Sequence, residues 1–248
     1  MPNKNAYLKE MGIDVWVERA PVQLNSEQSF SAEDNIVAPN NRNSVSDEQE
    51  NSTQPEVIVE NNVETLNWHA LQKHVTECQL CELSKTRLKT IFGSGNHNAS
   101  LMIVGNAPTE EDEQQGEIFT GEAGQLLTAM LKAMGYQRSD VYISDILKCK
   151  TVENREPSDN QAESCSAYLL REISLIKPKL ILALGNSAAQ QLLKSKSTMS
   201  RLRGQLHYID EVAAPIIVSY HPTYLLAAPN EKRKAWDDLQ LAMKELQE

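Results

Sequence analysis

No apolar run in this chain of 248 residues approaches the roughly 20 that would span a bilayer, and the polar N-terminus has no apolar stretch of the signal-peptide kind. A soluble, cytoplasmic protein is expected. Neither a G-x-G-x-x-G turn nor a P-loop occurs, so a generic nucleotide-binding α/β domain lacks its phosphate fingerprint. Cysteine is scarce: four residues, one tight pair and two singles, a number and spacing that disfavour structural disulfides in a cytosolic setting. Aromatic and basic residues are almost missing from residues 21–62, which are rich in Asn, Ser, Glu and Gln. Such a stretch cannot bury enough apolar surface to offset its ordering entropy, and it reads as a disordered acidic linker.

The formal net charge of −10 is concentrated there, with nine acidic side chains against one basic over residues 21–64. Residues 1–20 carry three of each, which leaves 22 acidic and 20 basic over residues 65–248. That near balance does not exclude a basic groove on the folded part. Three regions follow: an N-terminal peptide (1–20), the linker (21–62) and a folded domain (63–248). Within the first, residues 5–19 (NAYLKEMGIDVWVER) form an amphipathic island. An isolated helix of that length is marginal in water, so the segment either docks back on its own domain or orders against a partner with Trp16 as anchor. On about forty flexible residues its reach is of order 35 Å, which suits tethering.

The domain is organised around residues 101–127, LMIVGNAPTEEDEQQGEIFTGEAGQLL. Leu101 to Val104 read as a buried strand of the parallel-sheet kind. Gly105 and Pro108 then turn the chain at once, and the acidic run 110–113 is expected in an exposed loop rather than the core. Open α/β sheets bind ligands at such strand ends. Leu126, Leu127, Met130, Leu131 and Met134 follow helical spacing after Gly121 and Gly124. Further strands at 141–144, 180–184 and 215–219 alternate with helical patterns around 160–176 and 187–193. The alternation predicts a three-layer α/β/α fold with a four-stranded, largely parallel sheet. Its strand-end loops share one edge: the Gly105 loop, 145–154, the Gly185 turn and 219–226, which holds His221. Cys78 and Cys81, spaced C-x-x-C after a helical pattern, join Cys149 and Cys165 as a candidate metal set. Four thiolates suit tetrahedral zinc or a [4Fe-4S] cluster, and spacing does not choose between them.

The ordered blocks GNAPTEEDEQQGEIFTGEAGQLL, VYISDILKC, NREP, a further Cys, KPKLILALGNSAA, RLRG, YHPTYLL and KRKAWDDL resemble the family 4 uracil-DNA glycosylases from about residue 63 onward. The resemblance implies a uracil-DNA glycosylase-like fold, a monomer, DNA with a damaged base as substrate, and a [4Fe-4S] cluster on Cys78, Cys81, Cys149 and Cys165. It assigns water placement to Asn106, stabilisation of the leaving base to His221, and base binding to Gly105, Ala107, Phe119 and Asp145, with Phe119 stacking from an exposed loop. The chemistry asks for those types: a flipped base is held by stacking and edge contacts, and a donor at its oxygen stabilises the charge it takes on leaving. Arg201, Arg203, Lys232, Arg233 and Lys234 are candidate phosphate contacts. The segment LKEMGIDVWVER resembles the N-terminal peptide of the psi subunit of the bacterial DNA polymerase III clamp loader, which implies a chi-like partner for residues 5–19.

Three positions depart from the family pattern. Where it reads GEAPG this chain has Asn106, whose amide orients water but neither takes a proton nor carries charge; Asp112 is a candidate supporting acid. Where it reads YITN the chain has Asp145, which when ionised only accepts, repels uracil O4 and suits an exocyclic amino group such as cytosine's, and which donates only when protonated. Ala227 replaces a common Arg and removes a phosphate contact. The favoured reading is a uracil-type base-excision glycosylase. The alternative is an inactive glycosylase fold kept as a DNA-binding module and tethered to the replication machinery.

Overall fold

The computed structural model describes residues 62–247; the N-terminal peptide and, apart from Asn62, the linker predicted above lie outside the described residues. Six strands form one sheet: β1 (Ser94–Gly95), β2 (Leu101–Gly105), β3 (Tyr142–Asp145), β4 (Leu180–Leu184), β5 (Leu206–Ile209) and β6 (Val212–Ser219), in the spatial order β1-β3-β2-β4-β6-β5. The central four, β3, β2, β4 and β6, are parallel, as the sequence predicts. The edges β1 and β5 are antiparallel additions, too short or too exposed to show an apolar pattern. The described α-helices are α1 (Trp68–Thr76), α2 (Glu110–Gln115), α3 (Gly121–Met134), α4 (Asp159–Ile176), α5 (Asn186–Leu192), α6 (Met199–Leu202), α7 (Pro222–Ala227) and α8 (Lys232–Glu245).

Successive side chains of a strand face opposite ways, and β2 uses both faces. Leu101 and Ile103 join a core with Leu127 and Met130 of α3 and Trp236 and Leu239 of α8. Met102 and Val104 join another with Leu169 and Ile173 of α4 and Ala188 of α5. Three layers result. Local signals place the helices: Ser158 and Gln161 form a reciprocal capping box that starts α4, with N–H···O distances of 3.3 and 3.0 Å. After β2 the chain moves to β3 on one side and then to β4 on the other, so the β2–β4 gap is the topological switch point of the sheet.

The acidic run 110–113 corrects the expectation of an exposed loop. It begins α2, and Asp112 and Glu113 are 3% and 1% exposed. Both carboxylates are satisfied. Asp112 accepts the backbone N–H and hydroxyl of Thr109 (2.8 Å each) and of Thr120 (2.6 Å each). Glu113 accepts the Leu88 N–H at 2.8 Å and lies 3.8 Å from Lys150 Nζ. Acidic side chains in a first turn also complement the helix's positive end.

Candidate active site

The last residues of β2 and β3, Gly105 and Asp145, are register partners. A Cβ on residue 105 would overlap Asp145 Oδ1 and come within 2.6 Å of Phe119 Cζ. Only glycine fits here, so a strand end, a carboxyl and an aromatic ring meet in close contact. Asp145 is 3% exposed and its Oδ1 has no hydrogen-bond partner. Burial pushes its carboxyl up to about 8; Lys148 opposes that shift, while Asp112 and Glu172 add to it. Ala107, two residues past β2, packs on the α4–α5 side of the sheet.

Phe119 is buried rather than loop-exposed as predicted, and its φ of 53° is left-handed. That conformation costs an aromatic residue about 1–2 kcal/mol and persists only where neighbours over-determine it. They do so here. Arg138 donates to the carbonyls of Ile118 (2.7 Å) and Phe119 (3.3 Å), Asp112 ties down Thr120, and any Cβ on Gly124 would run into the Phe119 carbonyl. The ring stacks on His221, with centroids 5.3 Å apart and planes 29° apart.

His221 is the N-cap of α7, just beyond β6, and its Nδ1 accepts the Thr223 N–H at 3.3 Å. The proton is thereby assigned to Nε2. Burial pulls the imidazole's pKa down to about 4, against the opposing pull of Asp112, so the ring is neutral at pH 7 and still a donor.

Asn106 spans the switch point. Its Oδ1 accepts the Ala188 N–H of α5 at 3.0 Å, and its Nδ2 lies 3.4 Å from Glu156 Oε2, which also receives the Ser187 hydroxyl. Glu156 was missed in sequence; it sits in the irregular segment between β3 and α4, and its only signal was membership of the NREP block. Asp112, predicted as the supporting acid, has both oxygens engaged by Thr109 and Thr120. What it contributes is the shape of the loop and a fixed negative charge felt by His221 and Asp145.

The basic candidates separate. Arg203 is engaged within the domain: its Nε and Nη2 bind buried Asp238 at 3.1 and 2.8 Å, and its guanidinium lies 5.6 Å from the Tyr220 ring centroid. Lys234 pairs with Glu231 at 2.8 Å. Arg201 and Arg233 are exposed and Lys232 is half-buried. Ala227 ends α7, on which Tyr224 and Leu226 also stand exposed.

None of the four cysteines is in a disulfide; Cys78 and Cys81 are half-buried, Cys149 and Cys165 buried. Arg87 donates to Cys149 Sγ (3.1 Å) and to the Cys78 carbonyl (2.6 Å), and the Lys148 backbone N–H bonds Cys165. Burial pushes both buried thiols up, Cys165 to about 11, and Cys81 acts on each of them. Among the described residues no group of three or more His, Cys, Asp or Glu is drawn together tightly enough for a single ion. A zinc ion at about 2.3 Å from each sulfur would need that closeness. The four thiols come from three separate elements, the turn after α1, the exit of β3 and α4, and Arg87 reaches Cys149 and the Cys78 carbonyl among them.

Residues 92–240 match the family described as the uracil DNA glycosylase superfamily. The chain belongs to that superfamily, and its three-layer sheet is that fold. Within it, the chain is similar to type-4 uracil-DNA glycosylases. That of Archaeoglobus fulgidus is 35% identical over 172 residues, 67% of this chain and 86% of the relative. That of Thermotoga maritima is 35% identical over 167 residues, 66% and 86% of the two chains, and that of Sulfurisphaera tokodaii 33% over 175 residues, 68% and 80%. Among the described residues no helix is long and apolar enough to cross a membrane.

Proposed function

We propose that this DNA repair glycosylase hydrolyses the N-glycosidic bond of uracil flipped out of DNA into the space between Gly105, Phe119, Asp145 and His221. The observation that carries the reading is the His221 ring stacked beside Phe119 at the end of the sheet with its Nδ1 accepting the Thr223 N–H, which leaves Nε2 as the donor. As the C1′–N1 bond breaks, its electron pair leaves with the base and negative charge gathers on O2. A neutral imidazole N–H stabilises that oxygen without first losing a proton, an effect worth about 10²–10³ in rate for one such donor. Phe119, already held in its strained conformation, offers the face on which the base stacks.

Asn106 orients the water whose oxygen bonds C1′. It cannot take the water's proton, but Glu156, within reach of its amide, supplies the carboxylate that position 106 lacks. The exposed Arg201 and Arg233, with Lys232, contribute phosphate contacts, and the exposed face of α7 meets the DNA. A [4Fe-4S] cluster on Cys78, Cys81, Cys149 and Cys165 supplies a structural cross-link between the α1 turn, the β3 exit and α4. The catalytic domain is residues 63–248. Residues 5–19 tether it to a chi-like clamp-loader subunit across the linker, a reading supported by the resemblance of that peptide alone.

The test is excision of uracil from single- and double-stranded oligonucleotides by cluster-loaded protein. Site-specific cleavage that falls about 10²–10³-fold in His221→Ala is expected. DNA binding without excision would transfer the assignment to a non-catalytic binding module.

A further inference from the structure

We propose that Asp145 reads uracil as a neutral carboxylic acid, its hydroxyl donating to O4 and its carbonyl accepting N3–H, and that loss of this proton sets the alkaline limit of the enzyme. The inference rests on the uracil reading above and deepens it. A side-chain amide at this strand end would present one donor and one acceptor to the O4/N3–H edge. An ionised carboxylate presents two acceptors and repels O4; a protonated one restores the pair at the same spacing.

The geometry favours the proton. The carboxyl is 3% exposed, its Oδ1 has no partner in the protein, and it packs against Gly105, where a Cβ would overlap Oδ1. The nearest cation does not neutralise it. Lys148 Nζ is directed to Ser144 Oγ (2.6 Å), Glu172 Oε2 (2.7 Å) and the Asp145 backbone carbonyl (3.1 Å), none of them the Asp145 carboxyl. Asp112 of α2 and Glu172 of α4 add like charge from two sides, and His221, beyond the Phe119 ring, is neutral. An anion buried without a partner among like charges is costly, and taking up a proton removes the cost. The upward shift of this carboxyl to about 8 agrees with that arrangement. The free Oδ1 is then an unmet hydrogen-bonding position that the base fills.

The experiment is single-turnover excision of uracil between pH 6 and 9.5 by cluster-loaded full-length protein and by Asp145→Asn. Wild type is expected to hold its rate to about pH 8 and then fall about tenfold per pH unit, whereas D145N, whose amide does not titrate, is expected to lose that alkaline limb and give a flat profile from about pH 7 to 9. A wild-type profile without that limb, the same limb in D145N, or a D145N rate 100-fold higher at pH 7 would each overturn the proposal. If D145N does not fold, carboxyl-¹³C aspartate NMR of wild type decides: one aspartate titrating near pH 8 is expected, and none above pH 7 overturns it. Absence of uracil excision at every pH by both proteins would instead remove the glycosylase reading on which the inference stands.

Discussion

Glu156 is placed to supply the carboxylate that Asn106 lacks. The two side chains come from loops fifty positions apart and meet at 3.4 Å across the sheet's switch point. If the carboxylate takes the proton of the attacking water, Glu156→Gln lowers kcat by about 10–100-fold with little change in KM. Asn106→Asp restores activity in that background, because it places a carboxylate on the water directly. Rate measurements on the two single variants and the double variant check this, since a purely structural Glu156 would show no such rescue. At His221 the sign is opposite to that of Asp145. The active ring is the neutral one, and with its pKa at about 4 the rate holds from pH 8 down to about pH 5 and is lost only in stronger acid.

The segment from α2 to the start of α3 works as one device. Asp112 clamps both its ends, Arg138 holds its carbonyls, and Gly124 gives the Phe119 carbonyl room. Gly124→Ala therefore displaces Phe119: a loss of about 1–3 kcal/mol of stability and a larger proportional loss of excision are expected, read by thermal melting and by turnover. None of this was visible locally, because GEIF and the acidic run look like solvent-facing loop until their partners are known. The central strands were visible, since burial on both faces leaves an unbroken apolar run in β2 and β4. Lys148 ties the β3 exit together, holding the Asp145 carbonyl through its side chain and Cys165 through its backbone. If the four cysteines hold the proposed cluster, Cys149→Ser is expected to remove its visible absorption and to lower uracil excision together with the melting temperature.

Two buried carboxyls and the half-buried imidazole of His221 shape the stability of the whole domain against pH. Burial raises Asp145 to about 8 and Asp238 to about 6, so each binds its proton more tightly folded than unfolded and gives up stability as pH rises from about 4 to those values. His221, lowered to about 4, does the reverse and gains stability for the fold as pH rises to about 6.5. Between about pH 6.5 and 8 only Asp145 is left titrating among these three. Its contribution there falls by at most about 1.4 kcal/mol per pH unit, and melting curves of D145N are expected to lose that slope.

Contiguous sequence carries the parallel core, the order of the strand-end loops and the placing of Asn106, Asp145 and His221 at strand ends. Apolar runs, turn residues and motif order are properties of contiguous chain. Only tertiary contacts make Asp112 a clamp, bind Arg203 to Asp238, set Glu156 beside Asn106 and bury Asp145 with its Oδ1 unpartnered. Those outcomes depend on contacts between distant segments and on the removal of water from charged groups, and neither is written in the residues beside them.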